Sequence, residues 1–337
     1  MTGHFIRFDS IGKAVLLPFE VPAPKAGEVL LENEYTVVSA GTERANLVQL
    51  PNTGTAESGF PFTPGYSGAG RVIAVGEGVT TLKVGDRAII NWGGHRSHTI
   101  KKAAATLRID DDSIDLFDAA FAPIVSFPLL GVRKLRLEIG ESVMIAGQGI
   151  LGVFALQFAL LSGAIPVLVA DLDPARRELA LKLGASAALS PAEDGFVDRV
   201  KALTDGQGPN AVVEVTGSAL ALQQALEYIA WEGRISLLGC TRISDVPIDF
   251  YKYVHRRGVS LIGAHTMTRA KVESSPGHWT ELDDYRAFLK LLAAGKIQTR
   301  PIVSSVCSPE KAPDVYGALA DCPNPPLGIV FDWKQIR

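Results

Sequence analysis

The chain has 337 residues, of which 47 % are hydrophobic and 20 % charged, so it is long enough for two domains and can bury a large core. Its formal net charge of −3, without a basic block, gives no support for nucleic-acid binding, and no apolar run reaches the ~18 residues that a membrane span needs. The N-terminal segment lacks the features of a secretory signal, and the three cysteines fit neither a disulfide framework nor metal-binding spacing. We therefore expect a cytoplasmic protein.

Short strands separated by glycine and proline fill the first third of the chain. Residues 14–17 and 28–31 are apolar runs typical of strands, and residues 68–76 resemble a glycine-rich strand with close backbone approach. Residues 84–90 form a turn that leads into another strand. This pattern predicts a small, mainly β domain over residues 1–120.

Alternating strands and helices follow from about residue 116. Six strands with helices between them predict an α/β fold with a doubly wound parallel sheet, a Rossmann domain over residues 121–266. The tail, 267–337, is too short to fold alone, so we expect it to pack on the first domain. The predicted strands of the sheet are 143–146, 167–170, 185–189, 211–215, 234–239 and 259–263, and those of the tail are 301–306 and 328–331. The predicted helices are 116–136 (interrupted by prolines), 150–162, 174–183, 193–203, 219–231 and 283–294.

A glycine-rich turn with the spacing of a dinucleotide site follows the predicted strand 143–146. The turn fits G-x-G-x-x-G, and a helix, a second strand and an acid follow in register, which predicts a dinucleotide-binding βαβ unit. The first glycine allows a tight turn, the second lets a pyrophosphate approach the helix N-terminus, and the third lets the helix pack on the sheet. The predicted cofactor-binding residues of this turn are Gly147, Gln148, Gly149, Ile150, Leu151 and Gly152.

Two further residues bear on the choice between NAD and NADP. Asp171 ends the second strand, where its carboxylate can accept hydrogen bonds from both ribose hydroxyls and would repel a 2′-phosphate. Arg176 could accept such a phosphate, or it could lie over the adenine face. The acid favours NAD, and NADP is the less favoured alternative.

Motifs along nearly the whole chain resemble the medium-chain dehydrogenase/reductase superfamily, in its alcohol and polyol dehydrogenase group. Residues 39–43 resemble the family's Cys-Gly-Thr-Asp start, residues 64–70 its Gly-His-Glu-x-x-Gly motif, and residues 84–88 its V-G-D-R-V turn. The glycine-rich turn, residues 213–217 and residues 295–297 complete the series in family order. The resemblance implies a β-rich, GroES-like catalytic domain, built from 1–120 and 267–337, with the active site in the cleft beside a Rossmann domain.

The sequence departs from this family at the zinc positions. Zinc-dependent members use a Cys, a His and a Glu, with one further ligand. The matching positions here are Ala40, Tyr66, Ser67 and Ala122, and none of these side chains is a thiolate, imidazole or carboxylate. No cysteine lies between 90 and 107, where the family's structural zinc lobe would be. We therefore predict neither zinc.

Without zinc, a side chain must take the proton of a substrate hydroxyl directly. Tyr66 could act as acid or base, hydrogen-bond a substrate oxygen, or merely fill the vacated metal pocket. By the resemblance, Thr42 matches a hydroxyl that relays protons, although it could instead be a cap. His95 matches an aromatic position that lines the substrate pocket and would titrate near neutral pH, unless it is a structural histidine. Glu43 and Arg44 could form an ion pair at the cleft wall.

Four more residues are cofactor candidates. Thr216, Gly239 and Gly263 follow predicted parallel strands, and open α/β sheets bind ligands at those ends. The resemblance places Thr216 where nicotinamide usually passes. Arg300 resembles the family position that reaches the pyrophosphate, with a surface arginine as the alternative.

These observations predict a zinc-independent, NAD-dependent oxidoreductase that interconverts an alcohol and a ketone or aldehyde. The polar, histidine-rich composition predicted for the cleft favours a sugar-like or polyol substrate. One alternative is a zinc-free, NADPH-dependent reductase of C=C bonds, of the quinone or enoyl type, with Tyr66 as proton donor. Another is a non-catalytic dinucleotide-binding protein. The resemblance also implies a homodimer joined at the strand 259–263, whereas no nucleic-acid or membrane partner is expected.

Overall fold

Short strands, then alternating strands and helices, then a mixed tail follow one another in the predicted order. The computed structural model describes residues 1–322 and 324–336. Its strands are β1 (Thr2–Ser10), β2 (Lys13–Glu20), β3 (Glu28–Val37), β4 (Ser67–Val75), β5 (Arg87–Asn91), β6 (His98–Lys102), β7 (Val143–Ala146), β8 (Val167–Ala170), β9 (Ala187–Leu189), β10 (Ala211–Glu214), β11 (Arg234–Leu237), β12 (Ser260–Gly263), β13 (Ser305–Cys307) and β14 (Ile329–Asp332). Its α-helices are α1 (Ala40–Leu47), α2 (Gly54–Ser58), α3 (Leu116–Ala119), α4 (Ala122–Leu135), α5 (Ile150–Leu161), α6 (Pro174–Lys182), α7 (Phe196–Ala202), α8 (Ala219–Tyr228), α9 (Glu281–Ala293) and α10 (Ala312–Asp321).

Residues from both chain ends build the first of two units, Met1–Ile124 with Tyr285–Arg337. Its sheet runs in the order β13-β14-β3-β4-β5, and β6 also pairs with β3. The C-terminal strand β14 pairs antiparallel with β3, and β1 and β2 form a separate antiparallel hairpin. A buried apolar cluster that includes Ile6, Phe8, Phe331 and Trp333 joins residues from the two ends of the chain. The tail therefore completes a core that the N-terminal residues begin.

The tail differs in detail from the prediction. The strand predicted at 301–306 is present only at Ser305–Cys307, because Arg300–Ile302 forms a 3₁₀ turn with a proline in its first turn. Proline suits this position, since its fixed φ is helical and the first amides of a helix need no intrahelical partner. The helices α1, α2 and α10 were not predicted. Each contains a glycine, α10 also contains a proline, and α1 and α2 are only 8 and 5 residues long, so their helical signal is weak.

Within the second unit, Val125–Asp284, all of which the structure describes, six parallel strands run in the order β12-β11-β10-β7-β8-β9. This confirms the doubly wound sheet, and the strand order reverses direction between β7 and β10, where such sheets bind ligands. A buried core that includes Met144 and Val212 of the strands and Phe196 and Leu226 of the helices packs against the sheet. Across the part of the chain that the structure describes, no helix is both long and apolar enough to cross a bilayer.

The second unit ends at Asp284, later than the boundary predicted at 266, and begins at Val125 rather than at 121. Buried charges tie the intervening segment to α4. The Arg269 guanidinium donates a 2.6 Å hydrogen bond to Ser126 Oγ. Arg133 pairs with Asp284 at 2.9 Å. The ring of Trp279 lies 3.6 Å from the Arg133 guanidinium. Because these contacts are internal to the unit, the segment belongs with the Rossmann sheet rather than with the tail.

Asp284 should make the folding stability depend on pH. Its side chain is fully buried, and burial raises its pKa from 3.8 to about 6, more than Arg133 and Arg269 lower it. A carboxyl whose pKa is raised in the folded state contributes stability below its unfolded pKa and loses it as the pH rises through the folded value. At about 1.4 kcal/mol per pKa unit, the full loss is about 3 kcal/mol, of which about 2.4 kcal/mol falls between pH 4 and pH 7.

Asp284→Asn cannot ionise, so its free energy of unfolding should not show this decline. Chemical denaturation at pH 4, 5, 6 and 7 measures the difference from the native chain. Asp205→Asn, an exposed acid of the same unit, serves as the matched control. Parallel pH curves for Asp284→Asn and the native chain would contradict the assignment.

Candidate active site

The glycine-rich turn between β7 and α5 forms an open cradle at a helix N-terminus. Gly147 has φ of +98°, a left-handed conformation that favours glycine. A Cβ on Gly152 would lie 1.9 Å from the carbonyl oxygen of Gly147, so this position admits no side chain. A Cβ on Gly149 would meet nothing within 4 Å, although this residue caps α5. Two glycines therefore shape the turn, while the third leaves space above free helix amides, which fits a pyrophosphate.

The other residues of the turn contribute backbone rather than polar side chains. Gln148 is fully buried, and its side-chain amide donates to the carbonyl oxygen of Gly147 at 3.0 Å. Ile150 and Leu151 are half-buried in the first turn of α5. Gln148, Ile150 and Leu151 would therefore contact a cofactor through main-chain groups and apolar side-chain atoms.

The carboxylate of Asp171 is held at the end of β8 by two backbone amides. Gln148 donates to Oδ2 at 2.6 Å and Asp173 donates to Oδ1 at 2.8 Å. The guanidinium of Arg176 lies 4.0 Å from Oδ2. A carboxylate oxygen can accept more than one hydrogen bond, so Asp171 keeps capacity for ribose hydroxyls while its orientation is fixed.

Loops at the ends of β10 and β11 lie beside this cradle. The Cβ that Gly147 lacks would be 2.9 Å from Thr216 Cγ2, and one on Gly239 would be 2.5 Å from the amide nitrogen of Gly217. The structure therefore brings Thr216 and Gly239 close to the glycine-rich turn. Gly263 ends the edge strand β12, which is separated from β10 by β11. Its carbonyl oxygen accepts a 2.9 Å hydrogen bond from Lys134 Nζ.

Glu214 is a site residue that the sequence argument missed. It is fully buried at the end of β10, where its carboxylate accepts hydrogen bonds from the amides of Thr216 at 2.7 Å and Gly217 at 3.2 Å, and from the Thr216 hydroxyl. Burial raises the pKa of Glu214, and these hydrogen bonds lower it only in part. The carboxylate thus fixes the loop that carries Thr216. An acid at the end of an otherwise apolar strand was the available signal.

Arg300, the arginine predicted to reach the pyrophosphate, makes ion pairs within its own unit. Its guanidinium pairs with Asp115 at 2.6 Å and with Asp118 at 2.8 Å, and it lies 4.0 Å from the ring centre of Phe117. All four residues belong to the first unit. These contacts match the alternative of a surface arginine, and the contact with a pyrophosphate stays a prediction.

Tyr66 is a buried phenol at the position where zinc-dependent relatives carry a histidine. Its hydroxyl donates a 2.7 Å hydrogen bond to Ser39 Oγ, and its ring stacks on Trp92 with 5.1 Å between ring centres. Thr42, in the first turn of α1, is exposed. Both predicted hydroxyls thus lie near the N-terminus of the same helix, one buried and one at the surface.

The donor set at the zinc positions does not fit zinc. Ala40 and Ala122 offer no ligand atom, and Ser67 Oγ donates to the carbonyl of Ala120 at 2.7 Å. The Tyr66 hydroxyl is engaged by Ser39. Zinc sites in proteins use thiolate, imidazole or carboxylate. Over residues 1–322 and 324–336, no three His, Cys, Asp or Glu side chains are grouped so that they could hold a metal ion.

His95 does not face a substrate, and the catalytic role predicted for it requires correction. The residue is fully buried, with Nδ1 2.7 Å from Thr36 Oγ1 and Nε2 3.0 Å from Glu43 Oε2. The ring packs edge-on against Phe331. Both nitrogens are therefore engaged inside the protein. Glu43 likewise pairs with His95 rather than with Arg44, whose side chain donates to a backbone carbonyl.

Comparison with known proteins identifies the family. A sequence model of the alcohol dehydrogenase GroES-like domain matches residues 25–128, and one of the zinc-binding dehydrogenases matches residues 151–281. The chain is 30 % identical over 277 residues to L-threonine 3-dehydrogenase of Caldanaerobacter subterraneus, covering 72 % of this chain and 77 % of the relative. It is 28 % identical to the Pyrococcus abyssi enzyme of that name, covering 86 % of this chain and 87 % of the relative.

Among solved structures, 2R,3R-butanediol dehydrogenase from Bacillus subtilis superimposes with a TM-score of 0.82 at 19 % identity, covering 98 % of this chain and 99 % of the other. At that identity the likeness concerns the fold alone. Taken with the sequence relatives, the chain belongs to the medium-chain dehydrogenase/reductase superfamily. It is an oxidoreductase of the alcohol dehydrogenase type.

The glycines of the turn predict two opposite mutant phenotypes. Gly149→Ala should leave the free energy of unfolding within about 1 kcal/mol of the native value, because the new methyl meets no neighbour. It should nevertheless weaken dinucleotide binding about tenfold or more, since the methyl lies where a pyrophosphate must approach. Gly152→Ala should lower the free energy of unfolding by about 3 kcal/mol, because its methyl clashes with the backbone of Gly147.

Denaturation curves and NADH titrations on both variants measure these effects. A Gly149→Ala protein that binds NADH normally, or a Gly152→Ala protein of native stability, would show that the turn is not the cradle described.

Proposed function

We propose that the protein is a zinc-independent, NAD-dependent oxidoreductase that interconverts an alcohol and a ketone or aldehyde, with a lean towards polyol-like substrates. One observation carries the proposal: a buried Tyr66 phenol, hydrogen-bonded to Ser39, occupies the position of a zinc-ligand histidine, and the neighbouring positions offer no zinc donors. Its membership of a dehydrogenase superfamily supports the reaction class.

The residues of the second unit suit a nicotinamide dinucleotide. The open backbone at Gly149 and the free amides of α5 would hold the pyrophosphate, and the fixed carboxylate of Asp171 would accept the ribose hydroxyls. The loop carrying Thr216 would lie beside the nicotinamide. When bound, the cofactor accepts a hydride from the alcohol carbon or returns one to the carbonyl.

We assign the transfer of the substrate's hydroxyl proton to side chains of this protein. In the oxidation, Tyr66 would act as the phenolate, having first released its own proton to solvent, and its oxygen would take the proton of the substrate hydroxyl. In the reduction, the phenol would give its proton to the carbonyl oxygen and be left as the phenolate. Ser39 would hold the phenol in place through its hydrogen bond with that same oxygen.

Metal content and a substrate panel test this function. The purified protein should contain well under one zinc per chain and keep its activity in EDTA. It should oxidise at least one of sorbitol, L-threonine and butane-2,3-diol with NAD. Tyr66→Phe should lower kcat by about 100-fold or more, since positioned proton transfer contributes roughly that factor. Stoichiometric zinc whose removal abolishes turnover would refute zinc independence.

The same panel separates the alternatives. Reduction of 2-cyclohexenone or a quinone with NADPH, without alcohol oxidation, would favour the C=C reductase. Tight NADH binding without turnover of any panel compound would favour a dinucleotide-binding protein.

Asp171 should set the cofactor preference. Asp171→Asn keeps an oxygen that can accept the amide of Gln148 but removes the negative charge that repels a 2′-phosphate. We expect about tenfold weaker NAD binding and a gain in NADP binding, measured by titration of the reduced cofactors. Asp173→Asn, which loses the same charge two residues away, should keep the native preference. An unchanged NAD to NADP ratio in Asp171→Asn would contradict this role.

A further inference from the structure

A buried polar network is connected to Tyr66 through Ser39, and its other members have no part in the chemistry proposed above. It centres on Glu43, which is 2 % exposed, and on His95, which is fully buried. Its members come from β3, α1, α10 and the segments before β6 and after β14, all within the first unit. We call it the Glu43 network, and its residues are Thr36, Ser39, Glu43, His95, Tyr316 and Trp333.

The hydrogen bonds of the network define its protonation. Trp333 Nε1–H can only donate, and it donates to Thr36 Oγ1 at 2.9 Å. The Thr36 hydroxyl proton is then available for His95 Nδ1, 2.7 Å away. A neutral imidazole that accepts at Nδ1 carries its proton on Nε2, which points at Glu43 Oε2 at 3.0 Å. This tautomer satisfies each of these donors, whereas a protonated ring would leave the Thr36 proton without an acceptor in a buried site.

Glu43 collects donors on both carboxylate oxygens. Oε2 accepts from His95 and from the Tyr316 hydroxyl, and Oε1 accepts the backbone amide of Ser39 at 2.9 Å. Burial and the adjacent Glu43 raise the pKa of Tyr316 well above its ordinary value, so Tyr316 remains a donor. Three donors are enough to stabilise a buried carboxylate without a cation. Because two of them are rigid buried rings, the position of the carboxylate is fixed.

Ser39 connects this fixed carboxylate to Tyr66. A serine that precedes a helix ordinarily accepts a backbone amide of the first turn. Ser39 precedes α1 but makes no such bond, and its Oγ instead accepts the Tyr66 hydroxyl at 2.7 Å. Glu43, one turn along the same helix, holds the Ser39 backbone from the other side. The serine side chain is thus diverted from capping the helix to orienting the phenol.

We propose that Glu43 is a positioning residue for Tyr66, acting through Ser39, while His95 and Tyr316 hold the Glu43 carboxylate in place. This inference rests on the proposed role of Tyr66 as the group that exchanges the proton. A phenol that passes a proton to a substrate oxygen must keep its orientation, and a displacement of about 1 Å can cost roughly 100-fold in rate. The network thereby supplies the fixed geometry that metal coordination supplies in zinc-dependent enzymes.

Steady-state kinetics with NAD and the best substrate of the panel provide the first test. Ser39→Ala and Glu43→Gln should lower kcat by about 10- to 100-fold and leave the KM for NAD unchanged, because the cofactor residues are untouched. Ser39→Thr, which keeps the hydroxyl, should restore most of kcat. Glu57→Gln, an exposed acid of the same unit, is the matched control and should behave as the native protein.

A second measurement reports on Tyr66 without cofactor or substrate. In protein labelled with ¹³C at tyrosine Cζ, the Tyr66 resonance is assigned by its loss in Tyr66→Phe. It should shift in Ser39→Ala and Glu43→Gln, return in Ser39→Thr and stay unchanged in Glu57→Gln. This reading holds whatever the substrate is.

The outcomes separate the two proposals. If Tyr66→Phe is inactive while Ser39→Ala and Glu43→Gln keep the native resonance and native kcat, the positioning role is refuted and the role of Tyr66 stands. If Tyr66→Phe is fully active, the role of Tyr66 is refuted, and the catalytic purpose of the network falls with it. Shifted resonances with lowered kcat and unchanged KM for NAD support both.

Discussion

A buried carboxylate needs hydrogen-bond donors or cations as partners. In this protein, that requirement holds the loop after β10, the start of α1 and the segment around Asp284 in place. Glu214 binds the amides of the loop after β10, Glu43 binds two side chains and the amide that precedes α1, and Asp284 lies between Arg133 and Arg269. Glu43 and Asp284 join segments that are distant in the sequence, whereas Glu214 holds the loop that directly follows it. Removing one of these carboxylates would therefore leave several donors unsatisfied at once, which costs more than a single hydrogen bond.

The polar residues at the zinc positions also have hydrogen-bond partners within the protein. A metal ion orients its ligands by coordination, and here the equivalent residues are oriented by ordinary hydrogen bonds. Ser67 bonds the backbone carbonyl of Ala120, and Tyr66 bonds Ser39. These hydrogen bonds satisfy the polar side chains at two of the zinc positions without a metal ion, and this supports the proposal of a zinc-independent reaction.

Local patterns predicted the parallel sheet and the glycine-rich turn, because strand, turn and helix signals lie within a few residues of one another. The side-chain network of the first unit could not be predicted this way. Glu43 and His95 are 52 positions apart, and Glu43 and Tyr316 are 273 apart. Family position did not reveal the partners of His95 and Arg300, since a residue type at an aligned position does not say which partners the rest of the chain brings to it. Only the tertiary contacts decide that.

The pairing of β14 with β3 also sets an order of events during synthesis. The second unit, Val125–Asp284, is contiguous in the chain, so its contacts are available before β14 is made, whereas the sheet of the first unit must wait for that strand. Tyr316 and Trp333, which complete the hydrogen bonds around Glu43, are likewise made after the whole second unit. The Glu43 network therefore cannot be complete until the second unit has been made. On the role proposed for this network, a nascent chain whose second unit is complete would still lack an ordered Tyr66.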